Sequence, residues 1–311
     1  MTESAGKKHQ LIIIGGGPAG LTAGIYAARG RIDTLLIEKA AVGGQIVYAE
    51  KVENYPGFPE GISGFELTEL MHKQAKKWGL KTLATDVTGL ALDGEDRVVK
   101  TSDGDFHCRA VIVASGSERS KLGVPGEEKL LGRGVSYCAT CDGAFFKDEV
   151  VAVVGGGNAA LNEALALTHY AGKVYVIHRR NELRATKVVQ ERLFADPKIQ
   201  MIWDTVVEEV QGEDKVQKLR VRNVKTDAIS LLEVGGVFVA TGLLPATDFV
   251  KGILELDPQG QIVTNEVMET GVPGIFAAGD VRHNSAKQCI TAAGDGATAA
   301  LIAERYINER G

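Results

Sequence analysis

The sequence predicts an α/β protein of two parallel-sheet domains, one of them inserted into the other. Two observations support this prediction. The strand-like run QLIII at 10–14 leads into the glycine-rich GGGPAG at 15–20, and VVAVV at 150–154 leads into GGGNAA at 155–160. In both places a helix-compatible segment and a second strand-like run follow, which is the pattern of a β-α-β unit. A chain of 311 residues is long enough for two such domains.

Composition narrows the class of protein. Hydrophobic residues make up 44% and charged residues 24% of the chain, as in ordinary globular proteins. A net charge of -5 gives no basic surface for nucleic acid. The first ten residues are polar, and no apolar run approaches the length of about 18 residues that a membrane-spanning helix requires. We therefore expect a cytoplasmic protein that binds neither nucleic acid nor membrane.

The first glycine-rich loop is typical of dinucleotide binding. Gly15, Gly17 and Gly20 fit the pattern G-x-G-x-x-G, which allows a tight turn, a close approach of a pyrophosphate and close packing of helix on strand. Glu38 ends the next strand-like run, DTLLIE, where a carboxylate can accept from both ribose hydroxyls and repels a 2′-phosphate. A tight turn that binds nothing is the alternative. The strand before the loop, the helix after it and the acidic Glu38 occur at the spacing of a dinucleotide-binding unit, which favours a site for FAD or NAD instead.

The second loop differs at the position that reads the ribose. Its spacing repeats that of the first loop, with Gly155, Gly157 and Ala160. The residue equivalent to Glu38 is His178, and three arginines follow: Arg179, Arg180 and Arg184. Guanidinium groups and an imidazole are suited to a 2′-phosphate, and Arg180 and Arg184 would share a face if a helix began there. A solvated basic patch is the alternative. The pair of loops predicts FAD and NADPH, with hydride passing from nicotinamide to flavin.

Two of the four cysteines, Cys138 and Cys141, lie in YCATCDG at 137–143. A structural zinc site is not expected, because the remaining thiols, Cys108 and Cys289, are single and distant in sequence. A disulfide across two residues closes a very small loop and removes little chain entropy. The pair is therefore predicted to be redox-active. Asp142 could move the proton that thiol–disulfide exchange needs, or it could simply be the turn residue before a glycine.

The remaining segments suggest how the domains are connected. Loops are predicted at 43–45 and 53–59, an amphipathic helix at 66–79 and a terminal helix at 296–309. Strand-like segments at 106–116 and 234–242 each end in glycine, and a proline-containing irregular stretch follows each of them. We read these stretches as linkers. One domain then comprises 1–116 and 246–311, and the other comprises 117–245.

Seven motifs occur in one order: GGGPAG, ENYPGFP, CATCDG, GGGNAA, HRRNELRA, GVFVATG and FAAGDV. In this respect the chain resembles the bacterial thioredoxin reductases of low molecular weight, from about Gln10 to Tyr306. CATCDG together with HRR-x-x-x-R is the most specific part. The resemblance implies a homodimeric flavoenzyme in which NADPH reduces FAD, FAD reduces a Cys138–Cys141 disulfide, and the dithiol reduces thioredoxin.

The resemblance also implies site residues and their domains. The domain of 1–116 and 246–311 would hold FAD, and that of 117–245 would hold NADPH and carry the cysteine pair. Contacts to FAD would fall on Gly15, Gly17, Pro18, Ala19, Gly20, Glu38, Lys39, Gly44, Gln45, Asn54, Val87, Gly116, Gly279, Asp280, Lys287, Gln288 and Cys289. Contacts to NADPH would fall on Gly155, Gly157, Asn158, Ala160, His178, Arg179, Arg180 and Arg184. The catalytic groups would be Cys138, Cys141 and Asp142, and no metal is expected.

The chain departs from the family pattern in three places. Lys287 stands where an arginine is usual, Cys289 adds a thiol that we expect to pack as a small apolar residue, and Ser115 replaces a threonine.

Related enzymes remain alternatives. Those reduced by ferredoxin lack the basic cluster, and those that pass electrons from small dithiols to oxygen keep the cysteine pair. Peroxide-coupled relatives carry a further N-terminal region that we do not expect here, and ferredoxin–NADP reductases lack the pair. A non-catalytic redox sensor would not need HRR-x-x-x-R.

Overall fold

The computed structural model describes residues 7–49 and 51–309 and divides into two compact units. The first unit contains the described residues up to Glu118 and those from Pro245 onwards, and the second unit is Arg119–Leu244. The strands, in chain order, are β1 (Lys7–Ile14), β2 (Thr34–Glu38), β3 (Lys81–Ala84), β4 (Val87–Asp93), β5 (Asp96–Thr101), β6 (Gly104–Val113), β7 (Ser117–Arg119), β8 (Val135–Ser136), β9 (Val150–Val154), β10 (Lys173–Ile177), β11 (Ile199–Ile202), β12 (Thr205–Gln211), β13 (Lys218–Asn223), β14 (Ile229–Glu233), β15 (Gly236–Val239), β16 (Leu243–Pro245) and β17 (Ile275–Ala277). The α-helices are α1 (Pro18–Arg29), α2 (Gly64–Lys77), α3 (Ala139–Asp142), α4 (Asn158–Leu167), α5 (Lys187–Ala195) and α6 (Cys289–Glu309).

The first unit is built on a seven-stranded sheet of order β3-β2-β1-β6-β5-β4, and β17 also pairs with β6. Strand β1 runs parallel to β2 and to β6, whereas β4, β5 and β6 pair antiparallel. Leu11, Ile12 and Ile13 in β1 are fully buried, because both faces of a parallel sheet are covered. The carboxyl end of this central strand leads directly into Gly15.

The second unit repeats this plan. Its parallel sheet has the order β11-β10-β9-β15-β8, and a separate antiparallel sheet has the order β12-β13-β14. Strand β9 takes the central place that β1 has in the first unit, and α4 follows it as α1 follows β1. The predicted α/β class with two units of one plan is confirmed.

Two helices differ from their predicted bounds. Helix α2 begins after Ser63, whose hydroxyl accepts from the N–H of Glu66 at 3.1 Å, so that it starts two residues before the predicted 66. Helix α6 begins at Cys289, seven residues before the predicted 296. Gly296 is needed within the helix, because a Cβ there would lie 2.1 Å from the carbonyl oxygen of Ala19 in α1. In the described part of the chain, no helix has the length and apolar character needed to span a bilayer.

Candidate active site

The first glycine loop turns sharply at the end of β1. Gly15 has φ of +106°, and a Cβ on it would lie 2.3 Å from the carbonyl oxygen of Ala114. A Cβ on Gly20 would lie 1.9 Å from the carbonyl oxygen of Gly15. Neither position has room for a side chain. The turn therefore brings the start of α1 close to the sheet, as the spacing of the glycines predicts.

The start of α1 can receive an anion. Gly17 is the N-cap residue and provides no side-chain cap, and Pro18 follows as the first helical residue. Gly44 approaches this point closely, since a Cβ on Gly44 would lie 2.9 Å from Cα of Gly17. The uncapped N–H groups and the positive end of the helix dipole suit a pyrophosphate. The loop thus fits the phosphates of a dinucleotide.

Glu38 lies beside this loop at the end of β2. Its Oε2 accepts from the N–H of Gly16 at 2.7 Å, and its Oε1 accepts from the N–H of Ala40 at 3.0 Å. A carboxylate has further lone pairs, so the same oxygens can also accept from ribose hydroxyls. The next residue, Lys39, forms an ion pair with Glu118 instead, and that hydrogen bond raises the pKa of Lys39.

A second group of predicted residues lies around the start of α6. Gly279 packs against the first turn of α1, since a Cβ on it would lie 2.9 Å from Cβ of Ala19. Asp280 follows, and Oγ of Ser285 lies 3.4 Å from its Oδ1. Burial raises the pKa of Asp280, and the charge of Lys287 opposes that shift. The structure therefore brings Asp280 and Lys287 together, with Gly279 placed against the glycine loop of the same unit.

The other predicted residues of the first unit take various places. Asn54 donates to Oε1 of Gln288 at 3.0 Å. Cys289 is half-buried against the hydrophobic core, as expected of a small apolar side chain, and burial raises its pKa to about 11. Gln45 lies in the 3₁₀ segment Gly44–Tyr48, Gly116 has φ of +65°, and Val87 packs on the cluster around Ile12 and Ile14.

The second glycine loop has the same opening at the start of α4. Gly157 is the N-cap residue and offers no side-chain cap, and no atom would lie within 4 Å of a Cβ on it. Ala160 takes the place of the third glycine, and its Cβ would lie 2.6 Å from a Cβ on Gly155. Asn158 accepts from the N–H of Thr186 at 2.8 Å. This loop too presents uncapped N–H groups to an anion.

The residues that follow β10 carry positive charge. Arg179, Arg180 and Arg184 are exposed, and none of them pairs with a carboxylate within the described residues. His178 differs from them, because its ring is buried and its Nε2 lies 3.1 Å from the carbonyl oxygen of Glu182. Burial lowers the pKa of His178, and the three neighbouring arginines lower it further. The charge at this position therefore comes from the arginines.

The expectation that Arg180 and Arg184 share a helical face is wrong, because α5 begins only at Lys187. The segment before it is an irregular loop. The N–H of Arg184 donates to the carbonyl of Gly156 at 2.9 Å, which ties this loop to the glycine loop. His178 packs beneath the same place, since a Cβ on Gly156 would lie 2.3 Å from its Cε1. These contacts keep the arginines beside the glycine loop without a helix.

Cys138 and Cys141 form a disulfide, with a Cα–Cα distance of 5.4 Å. Cys138 caps the short helix α3, and its Sγ accepts from the N–H of Cys141 at 3.1 Å. Cys141 is exposed and Cys138 is half-buried, so a partner molecule can reach the pair. Cys108 is buried within β6, where burial raises its pKa to about 12. The disulfide is thus the reactive sulfur centre of the described residues.

Ser136 connects Asp142 to the disulfide, and the sequence analysis missed it. The Ser136 hydroxyl donates to Oδ2 of Asp142 at 2.6 Å and accepts from the N–H of Cys138 at 3.0 Å. Tyr137 donates to Oε1 of the buried Glu127 at 2.7 Å. No motif marks these residues, although their position directly before CATCDG could have drawn attention to them.

Glu163 is a second residue that the sequence analysis missed. It lies in α4, forms an ion pair with Arg119 at 2.9 Å and accepts from the N–H of Ala139, between the two cysteines. Its Oε2 is buried without a partner among the described residues. Burial raises the pKa of Glu163 to about 7 despite the attraction of Arg119. A carboxyl group whose pKa is close to neutral pH therefore lies next to the disulfide loop.

Comparison with known proteins agrees with this geometry. Residues 9–296 match the family model described as pyridine nucleotide-disulphide oxidoreductase. A thioredoxin reductase of Streptomyces coelicolor is 48% identical over 96% of this chain and 94% of its own length, and one of Bacillus subtilis is 44% identical over 97% and 96%. The crystal structure of Lactococcus lactis thioredoxin reductase matches with a TM-score of 0.94 at 42% identity, over 97% of this chain and 99% of that one. The chain belongs to the pyridine nucleotide-disulphide oxidoreductases and, within them, to the thioredoxin reductase family.

Proposed function

We propose that this protein is an NADPH-dependent thioredoxin-disulfide reductase. Family membership implies an oxidoreductase with a flavin and a nicotinamide cofactor. In the proposed reaction, FAD binds the first unit and NADPH binds the second. The Cys138–Cys141 disulfide passes electrons to oxidised thioredoxin. The observation that carries it is an accessible disulfide in a chain with two uncapped glycine loops of opposite charge.

The assignment of the cofactors follows from charge. Glu38 beside the first loop can bind ribose hydroxyls and repels a 2′-phosphate, which favours FAD. Arg179, Arg180 and Arg184 beside the second loop have no carboxylate partner among the described residues, which favours the 2′-phosphate of NADPH. A ferredoxin-flavin thioredoxin reductase from Clostridium acetobutylicum matches with a TM-score of 0.54 and 32% identity, over 97% of this chain and 99% of that one. The fold is therefore compatible with an electron donor other than NADPH. The three arginines are the feature that favours NADPH.

The residues around the cysteines have distinct roles in this proposal. When bound, the flavin would accept a hydride from the nicotinamide and deliver two electrons to the disulfide. Opening the disulfide requires protons at sulfur, and Asp142 can hold or release one through Ser136, next to Cys138. Disulfide exchange then needs an exposed thiolate and a way to remove its proton. The exposed position of Cys141 makes the disulfide accessible, and Asp142, hydrogen-bonded to Ser136 beside Cys138, is the nearby group that can accept the proton.

Partners and location complete the proposal. Thioredoxin is the protein substrate, and the chain acts in the cytoplasm as a homodimer. Large exposed hydrophobic side chains on the helices of the first unit support a contact with a second copy: Tyr26, Phe65, Leu70 and Leu301. Sedimentation analysis of the holoenzyme checks the dimer directly.

The experiment that tests the function separates its two half-reactions. Cys138→Ser and Cys141→Ser should each keep flavin reduction by NADPH, seen as rapid loss of flavin absorbance in anaerobic stopped flow. Both should abolish thioredoxin reduction, because a single thiol cannot complete the two-electron exchange. Cys108→Ala, a cysteine outside the disulfide, is the matched control and should keep both activities. Thioredoxin turnover by either serine variant, or no flavin reduction by NADPH in the unaltered protein, would refute the proposal.

A further inference from the structure

A buried ion pair lies directly behind the Gly279–Asp280 turn. Arg282 binds Asp295 of α6 with both arms of its guanidinium, Nε to Oδ2 at 2.6 Å and Nη2 to Oδ1 at 2.9 Å. Asp295 is only 8% exposed, so this is a desolvated pair in a fixed, two-point geometry. Removing one partner of such a pair leaves the other charge buried and unpaired.

Asp295 also holds the backbone of the turn. Its Oδ2 accepts from the N–H of Gly279 at 3.1 Å, in addition to Nε of Arg282. Gly279 has φ of +80°, a region that glycine tolerates, so its conformation depends on what surrounds it. One carboxylate in α6 therefore fixes both the N–H before Asp280 and the arginine after it.

A second side chain holds the other end of the turn. Nε2 of Gln261 donates to the carbonyl oxygen of Asp280 at 3.3 Å. Gln261 is buried, and its own N–H donates to Oδ1 of Asp257 at 2.9 Å. The backbone groups on both sides of the Asp280 side chain are thus held by residues from separate parts of the first unit.

The carboxylate of Asp280, by contrast, is little used within the protein. Among the described residues, its side chain accepts only a long hydrogen bond from Oγ of Ser285, at 3.4 Å. A half-buried carboxylate with spare acceptor capacity, on a backbone held at both ends, is arranged to bind a ligand that carries hydroxyl groups. We call the contacts of Asp295 and Gln261 with this turn the clamp. The clamp fixes the direction in which the carboxylate of Asp280 points.

We propose that Asp295 and Arg282 are positioning residues for the flavin, fixing the Gly279–Asp280 turn so that Asp280 meets the hydroxyl-bearing chain of FAD. This inference rests on the proposed binding of FAD to the first unit. Arg282 has a further part, because it neutralises Asp295 and so spares Asp280 a neighbouring uncompensated negative charge. Gln261 is the weaker half of the clamp, since its bond to the turn is longer.

The test measures release of FAD from the full-length holoenzyme, followed by the fluorescence of the freed flavin after dilution. Asp295→Asn and Arg282→Met should each release FAD about tenfold faster, as expected for loss of a bond to a charged group. The double variant should be no faster than the more affected single variant, because both act through one turn. Bound flavin should also show an altered visible absorption spectrum, which a general loss of stability would not produce.

Glu208→Gln is the matched control, because it removes the carboxylate of another partly buried arginine pair, formed with Arg222 in the second unit. It should release FAD at the unaltered rate. If Asp295→Asn does not fold, Arg282→Lys keeps the charge, loses the two-point geometry and should give an intermediate rate. Release within twofold of the unaltered protein, or equal acceleration in Glu208→Gln, would overturn the inference. A protein that holds no FAD at all would instead refute the proposed function.

Discussion

The two glycine loops share one backbone plan and differ in what stands at the end of the next strand. After β2 stands Glu38, whose carboxylate accepts from the loop N–H of Gly16. After β10 stands His178, whose buried ring supports Gly156 while three arginines extend into solvent. In the proposed function, the backbone of each loop binds phosphate, and the charge beside it decides which adenosine ribose is accepted.

The loops also differ in how closely helix and strand approach. Gly20 in the first unit could not carry a Cβ, because the atom would lie 1.9 Å from the carbonyl oxygen of Gly15. The equivalent residue of the second unit is Ala160, which is fully buried and tolerated. Two copies of one motif thus impose different limits on the same position.

Gly20→Ala should have the largest effect of the substitutions that test this comparison. The added methyl group has to displace the backbone of Gly15, so the protein should be purified with little or no flavin. The ratio of absorbance near 450 nm to that at 280 nm measures flavin content. The reciprocal change, Ala160→Gly, is the control and should keep its flavin. Full flavin content in Gly20→Ala would contradict the close approach described here.

The double variant Arg180→Ala, Arg184→Ala should show the next largest effect. Each guanidinium bound to a phosphate contributes roughly 1.5–3 kcal/mol, so loss of the two should raise KM for NADPH by about a hundredfold or more. KM for NADH should hardly change, since NADH has no 2′-phosphate. Steady-state kinetics with both nucleotides provides the comparison. A parallel rise for NADH would mean that the arginines hold the loop rather than read the ribose.

Glu163→Gln should have the smallest effect, on the pH dependence of stability. The folded-state pKa of Glu163 is raised to about 7 from 4.5, so the folded state binds the extra proton. Stability from this group is fully present below about pH 4.5 and is lost as the pH rises through 7, by up to roughly 3 kcal/mol. Thermal unfolding midpoints at pH 5 and pH 8 should therefore differ less in Glu163→Gln than in the unaltered protein. An equal difference in both proteins would show that Glu163 does not titrate in this range.

The sequence predicts what depends on local pattern. The β-α-β units, their glycine loops, the spaced cysteines and the acid or base after each second strand all follow from periodicity and spacing. The early start of α6 was missed, although Gly294 and Gly296 both lie within the helix. Gly296 is glycine because of its close packing against α1, which is a tertiary contact, whereas a Cβ on Gly294 would meet nothing within 4 Å.

The groups behind the site could not be predicted. Ser136 acts on Asp142 through a side-chain contact, and Glu163 reaches Ala139 from a helix that follows in the chain. Asp295 holds Gly279 across 16 residues of sequence. None of these pairs has a characteristic spacing, because each contact depends on how the elements pack.

The most direct test of the account is the binding of NADPH and of NADH to the unaltered oxidised protein, at equal ionic strength and without thioredoxin. Opposite charge at the two loops predicts that NADPH binds at least about tenfold more tightly than NADH, and that added salt reduces the difference. Equal dissociation constants for the two nucleotides would contradict this prediction, because the arginines beside the second loop would then not bind the 2′-phosphate.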